Sequence, residues 1–540
     1  MRAMLARTAV VILGAIVALG AVPPVQAEAA VHTKSVAKEK KRVDRVAAPS
    51  LSWTSCGSNV ACAYASLPLD YDSPKGAKIN VLLARYRSPS QTTRLGTLFF
   101  NPGGPGVSGV DAVKQASSYF SANVLKYYDI VGFDPRGTGG STALQCFSDA
   151  SAMRAAMSGL QIDFPQTHAQ KVAFKASAKK LAKACSSKSN KQLASSMSTS
   201  EVARDLDVLR RAVGDSKLNY FGLSYGTYIG EVYAAMFPDR VRTMVLDGLV
   251  DPYGWRGSSS TSTPVTLRLG AAAASQTALN VALSACAAAG ADHCPIMPDP
   301  AAAFKRAAAS LKKTSIAYSP FVLQTSERFT YNDFISWTVQ FLELPDGAER
   351  LANMVAEVLA VFDGQPRPSK PAGHVGTSQR FSPATFSAYD TSDDGYYAVM
   401  CSDSANPRNQ SAWTSAVAQY ASSAPSFAAY WGYASLPCGT ASWKAKDEDA
   451  YSGSFYARTA NPVLLVGNYY DPATPYANAV SVKRYLTNSV LLANAAAGHT
   501  AYGQSNCVTT AVDNYLLSLK PPAAGTVCAQ ELSLFTKSIK

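Results

Sequence analysis

The spacing of apolar and polar residues changes several times along the chain, and each change marks an element. Residues 78–86 (Lys-Ile-Asn-Val-Leu-Leu-Ala-Arg-Tyr) alternate as an early strand does. Residues 97–100 (Thr-Leu-Phe-Phe) are continuously apolar, the pattern of a strand buried on both faces of a parallel sheet, and another buried strand starts at Tyr128. Further strands are predicted at 218–221, 241–248, 461–467 and 489–492. Between them the period becomes helical. A polar helical stretch covers 166–193. Over 198–213, Val202, Leu206, Leu209 and Val213 form one stripe, and Ser198 with Glu201 suits a capping box. A helix with apolar Ile229, Val232, Tyr233 and Met236 stops at Phe237-Pro238, and another spans 476–486. Strands alternating with helices predict a mostly parallel α/β sheet.

The alternation lapses after about residue 251. A Ser/Thr-rich linker (257–266) leads into helical patterns at 271–289, 301–312, 332–342 and 348–362. A Pro/Gly/Ser-rich stretch (366–382) and a mixed segment (396–438) follow. This predicts a mainly helical cap, 251–455, between two parts of a sheet core, 51–250 and 456–540. No internal repeat is evident.

The first fifty residues differ in kind. Arg2 and Arg7 precede an apolar run over 9–22, and Val25-Gln26-Ala27 offers small residues for cleavage. That predicts a secretory signal peptide, 1–27. The run is short for a membrane span and Pro23-Pro24 breaks it. Residues 28–50, with six Lys or Arg and few apolar positions, read as a disordered basic leader or pro-segment. The formal charge of +13 is otherwise spread without a basic block or interleaved aromatics, so nucleic acid is not an expected partner. Ten cysteines, none in Cys-x-x-Cys spacing, stand beside only five histidines, which favours disulfides over zinc and fits export. Short loops are the least costly to close, so each cysteine is paired with its next neighbour: Cys56 with Cys62, Cys146 with Cys185, Cys286 with Cys294, Cys401 with Cys438 and Cys507 with Cys528.

The candidate chemistry sits where strands end. Gly222-Leu223-Ser224-Tyr225-Gly226 runs from strand into helix. A serine on so sharp a turn projects its hydroxyl from the sheet, and the flanking glycines let neighbouring backbone close in. The glycine-rich loop Asn101-Pro102-Gly103-Gly104-Pro105-Gly106 follows an earlier strand. It can present an N–H to an oxyanion, with the N–H of Tyr225 as second donor. Asp471 and His499 end the last two predicted strands, giving the order Ser, Asp, His of the α/β-hydrolase fold. His293, His374 and, as acid, Asp247 are the alternatives. Asp134 and Arg136 read as charges that pin loops beneath the site.

These motifs resemble, in order, those of the secreted actinomycete tripeptidyl aminopeptidases, relatives of proline iminopeptidase. The matching stretches are Asn-Pro-Gly-Gly-Pro-Gly at 101–106, Asp-Pro-Arg-Gly-Thr-Gly at 134–139, Gly-Leu-Ser-Tyr-Gly-Thr at 222–227, Asp-Pro-Ala-Thr-Pro at 471–475 and Gly-His at 498–499. Proline iminopeptidases have His where this chain has Asn101. The resemblance covers about residues 51–528. It implies Ser224 as nucleophile, His499 as base, Asp471 as its partner, and Gly104 and Tyr225 as the oxyanion hole, with no metal or cofactor. It also implies an extracellular enzyme acting on peptides with free N-termini. A cap carboxylate is then required for the substrate amine, with Asp403 the first candidate and Glu343 the second. A carboxylesterase or lipase with the same triad is the main alternative, and a non-catalytic binding protein on a hydrolase scaffold is another.

Overall fold

The computed structural model describes residues 25–316, 328–365 and 389–536. Ten strands form one sheet: β1 (Thr54–Gly57), β2 (Val60–Pro68), β3 (Lys78–Tyr86), β4 (Gly96–Asn101), β5 (Tyr128–Phe133), β6 (Leu218–Leu223), β7 (Val241–Asp247), β8 (Val463–Tyr470), β9 (Ser489–Ala497) and β10 (Val527–Ala529). Their order is β1-β2-β3-β5-β4-β6-β7-β8-β9-β10. The pairs from β1 to β5 are antiparallel and all later ones parallel. The continuously apolar strands behave as their composition requires, since β4 and β5 are buried along their whole length. Apolar cores lie on both faces of the sheet.

The chain leaves the sheet after β7 and returns at β8. The regular structure among the described residues between is mainly helical, with long helices at Ala271–Ala289, Pro300–Lys313, Tyr331–Leu342, Gly347–Asp363 and Ser392–Asp403. The first four overlie the patterns read from the sequence.

Five disulfides join Cys56–Cys62, Cys146–Cys185, Cys286–Cys294, Cys401–Cys438 and Cys507–Cys528. Each cysteine is bonded to its next neighbour, as loop entropy suggested.

Two expectations need correction. Residues 28–50 are not a detached, disordered leader. A helix runs Val25–Asp44, Val43 is fully buried and Val46 nearly so. One of the basic residues that suggested disorder is itself buried among acidic partners. Arg42 pairs with Glu39 at 3.1 Å, Asp72 at 2.6 Å and Asp449 at 2.8 Å, and Arg204 reaches Glu39 at 2.8 Å. The expected signal peptide lies almost wholly outside the described residues.

The capping box at Ser198 is also incomplete. Ser198 Oγ accepts from the Glu201 N–H, but the Glu201 carboxylate turns away to Arg136 and Arg204. Asp447 takes its place, accepting from the Ser198 N–H at 3.0 Å. The helix Thr199–Ala212 is consequently buried on its charged face as well as its apolar stripe.

Candidate active site

Ser224 sits between β6 and the helix Tyr225–Met236 with φ 53° and ψ −124°, a conformation that costs a non-glycine residue of order 1–3 kcal/mol. The surroundings hold it there. The Ser224 N–H donates to the Asp247 carbonyl at 2.9 Å, and the Thr227 hydroxyl donates to the Ser224 carbonyl at 2.7 Å. A Cβ on Gly222 would stand 2.4 Å from the Gly226 carbonyl oxygen, and one on Gly226 2.8 Å from both oxygens of Asn101. Both glycines of the elbow are therefore needed for space.

The loop after β4 closes on this turn. Gly103 and Gly104 have φ of 101° and 108°, and a Cβ on Gly103 would lie 2.9 Å from that of Ser224 and 3.3 Å from the Tyr225 nitrogen. Asn101 Oδ1 accepts from the Gly103 N–H at 3.0 Å and fixes the loop's entry. Tyr225 opens the elbow helix, so its N–H belongs to the first turn, which has no intrahelical acceptor.

His499 and Asp471 meet at the ends of β9 and β8. His499 Nδ1 lies 2.8 and 3.0 Å from the two Asp471 oxygens. Asp471 is 1 % exposed and also accepts from the N–H groups of Ala473 and Thr474 and from the Thr474 hydroxyl. Its oxygens are thus aimed before any substrate binds. Burial presses the His499 pKa down, but the charge and hydrogen bond of Asp471 outweigh that, helped by Glu343 and Asp247, and lift it to about 9. Asn468 Nδ2 brackets the histidine, donating to the carbonyls of Gly498 and Thr500 at 2.8 Å each. Gly248 lies where the two parts meet: it follows Asp247, which receives the Ser224 N–H, and a Cβ there would be 3.2 Å from His499 Cε1.

Thr474 and Asn468 were not foreseen. Thr474 had a signal: an Asp followed three residues on by Thr is a side-chain-to-backbone turn. Asn468, in mid-strand, gave none.

A family model described as the alpha/beta hydrolase fold matches residues 96–274, and one described as TAP-like protein matches 424–528. Carboxylesterase B of Mycobacterium tuberculosis is 31% identical over 501 residues, covering 90% of this chain and 91% of that one. The tripeptidyl aminopeptidase of Streptomyces lividans is 29% identical over 506 residues, covering 90% and 88%. The chain belongs to the TAP-like family of α/β hydrolases. Serine protease Hip1 of Mycobacterium tuberculosis is a further relative, 28% identical over 514 residues that cover 90% of this chain and 92% of that one. The molecule is a serine hydrolase, so the non-catalytic alternative falls.

The remaining candidates of this TAP-like hydrolase scatter. Asp247 directs its carboxylate away from the imidazole, onto the N–H groups of Ala501 and Tyr502, and burial raises its pKa to about 6. His293 lies in the turn spanned by Cys286–Cys294, and His374 falls outside the described residues. Asp134 accepts from Ser108, Val110 and Gly140, and Arg136 is fully buried against Asp205 and three carbonyls, both of them pinning loops.

The two acids expected to receive an amine differ. Asp403 is 8 % exposed, with one oxygen on the Thr199 N–H and the other on the Thr199 hydroxyl and the indole of Trp255. Burial raises its pKa to about 7. Thr199 Oγ1 in turn lies 2.5 Å from the Tyr225 hydroxyl, so Asp403 sits beneath the elbow helix. Glu343 ends the helix Tyr331–Leu342, and its carbonyl accepts the His499 N–H at 2.9 Å. Among the described residues, one cluster could bring metal-ligand atoms together, Cys146, Cys185 and Asp394, and its sulfurs are bonded to each other.

Proposed function

We propose that the protein is an exported serine peptidase that removes short peptides, tripeptides in the first instance, from free N-termini. The observation that carries the reading is His499 Nδ1 held on a buried, already oriented Asp471 beside a serine in elbow conformation. His499 Nε2 takes the Ser224 proton as Oγ attacks the peptide carbonyl, and the N–H groups of Gly104 and Tyr225 receive the oxyanion. The imidazolium, stabilised by Asp471, then protonates the departing amine. Water, activated by the same imidazole, releases the acyl peptide. The relatives named tripeptidyl aminopeptidase and serine protease support peptide substrates. Five disulfides and the N-terminal sequence pattern support an extracellular location. No helix among the described residues is long and apolar enough to cross a membrane.

Neither expected acid suits the amine. Asp403 has its oxygens committed inside the protein, and we assign it the support of Tyr225. Glu343 belongs to the reacting centre, where its charge adds to that of Asp471 in favouring the imidazolium.

The relative named carboxylesterase B favours a second reading, ester hydrolysis by the same machinery. Mass spectrometry of products from a peptide library with free and acetylated N-termini separates the two. Tripeptides released from free N-termini by the wild type and not by Ser224→Ala are expected. Hydrolysis confined to acyl esters would replace the peptidase reading with the esterase one.

A further inference from the structure

Positive charge that is spread along the sequence is gathered in space on one helix. From Phe164 to Ser200 the chain carries seven lysines and no aspartate or glutamate. Within the helix His168–Cys185, Lys171, Lys175, Lys179 and Lys183 fall at every fourth residue. They therefore form a single row over roughly 18 Å, with rungs about 6 Å apart. The opposite side, with Phe174, Leu181 and Cys185, is buried. Lys188 and Lys191 continue the exposed charge past the C-terminal end, and Lys444 is drawn alongside, its N–H donating to Ser186 Oγ at 2.8 Å.

The row is not explained by pairing within the molecule. Lysines elsewhere find acids, Lys40 on Asp239 at 2.6 Å and Lys114 on Asp111 at 2.9 Å. None of the seven ammonium groups has an ion pair or hydrogen bond among the described residues. The helix dipole accounts for Lys183, in the last turn, but gives a cation nothing at Lys171 or Lys175. Like charges four residues apart weaken a helix, and here each lysine of the row repels the next. The fold braces the helix at both ends: a capping box joins Thr167 and Gln170, and Cys185 is bonded to Cys146. A local rule broken and compensated in this way marks a working surface.

We propose that the lysine row docks a linear phosphodiester polymer, a chain whose charges lie in its own backbone. The inference goes beyond the peptidase reading and does not depend on it. A repeat of six backbone bonds, twice the three of an extended residue, spans roughly 7 Å and comes close to the rung spacing. A bilayer would call for large apolar side chains, and Val172 is the only one this helix exposes. Bases would call for rings to stack on, and the helix has no exposed Phe, Tyr or Trp. An acidic peptide would use a groove or a sheet edge, and a convex helix face offers neither.

The test measures binding of fluorescently labelled poly(glycerol phosphate) to the Ser224→Ala protein, so that the result is independent of any substrate. Four engaged rungs predict a slope of log K against log salt of about −3, from roughly 0.7 per contact on a flexible polyanion. Lys171→Gln, Lys175→Gln, Lys179→Gln and Lys183→Gln combined should flatten that slope toward zero and weaken binding about a hundredfold or more at low salt. With Ser224 restored, the same variant should hydrolyse p-nitrophenyl acetate and a tripeptidyl amide at the wild-type rate. Its Tm should hold or rise, because repulsion along the row is relieved. A control removes the same charge elsewhere, with Lys75→Gln, Lys305→Gln, Lys313→Gln and Lys520→Gln together, and should keep the slope. Equal losses in the two quadruple variants, or no binding by the parent protein, overturn the proposal. Tighter binding of phosphatidylglycerol vesicles, single-stranded DNA or polyglutamate at equal charge concentration also overturns it, since each names a different occupant. Should the quadruple variant not fold, Lys175→Gln alone serves: it must flatten the slope by about 0.7, and an unchanged slope overturns the proposal.

Discussion

Ser224 stores strain that its chemistry uses, and the strain can be read out. Glycine tolerates φ 53°, ψ −124° where serine does not, so Ser224→Gly should raise stability by about 1 kcal/mol while turnover falls by several orders of magnitude. Ser224→Ala should lose the same turnover with no such gain. Thermal unfolding of the three proteins checks this. At His499 the sign runs the other way from stability. The base must be neutral to accept a proton, and a pKa raised from 6.5 to about 9 means kcat/KM climbs as pH rises through that region. The stabilisation from the raised pKa is full below 6.5 and is lost as pH passes about 9. Asp471→Asn removes the charge that favours the imidazolium. It should move the kinetic midpoint to lower pH while cutting the rate by about 10⁴-fold. Asp403 accepts from three donors, the Thr199 N–H and hydroxyl and the Trp255 indole, on two opposed oxygens, and Asp403→Asn turns one of those acceptors into an NH₂ group. Free peptides, acetylated peptides and small esters should slow by one common factor, as expected for a residue acting through Tyr225; a loss confined to free N-termini would return Asp403 to the role of amine receptor.

The elements show which signals a linear reading carries. Continuous apolar runs gave β4 and β5, and helical spacing gave the elbow helix and the early cap helices, because those patterns are local. β2 was passed over although Ala63, Ala65 and Leu67 alternate as buried positions, since two of them are alanines and raise little contrast. The helix Val25–Asp44 was unreadable for a different reason. A basic segment looks solvated until its acidic partners, contributed by residues as distant as Asp449, are known. The same blindness produced the unfinished capping box, where Asp447 displaces Glu201. Arg42 is 5 % exposed and joins Glu39, Asp72 and Asp449, while Arg204 also reaches Glu39 and Asp449, so Arg42→Ala should cost about 1–3 kcal/mol, because the two acids keep one counter-charge and lose the other. Urea unfolding measures it. A cost below 1 kcal/mol would make the segment a passenger.

Over the whole molecule, the motif residues and their order could be read from sequence, because each sits at the end of a strand whose pattern is plain. What lay hidden was the company they keep. Asn468 around His499 and Thr199 between Asp403 and Tyr225 depend on segments brought together only by the closed fold. The bridges were legible, since loop closure favours near neighbours. All ten cysteines are bonded, so titration under denaturing, non-reducing conditions should find no thiol.

Nearest-neighbour bonding has a consequence for how the molecule is made. A chain emerging N-terminus first into an oxidising space meets its cysteines in the order in which they pair. Cys56 can meet Cys62 before Cys146 has appeared, and both members of every later pair emerge before the first member of the next. An oxidant that simply joins thiols as they arrive would therefore write the native pattern without reshuffling. A chain denatured and reduced whole loses that advantage, because all ten thiols then compete at once. Synthesis carries timing information that refolding from the complete chain does not.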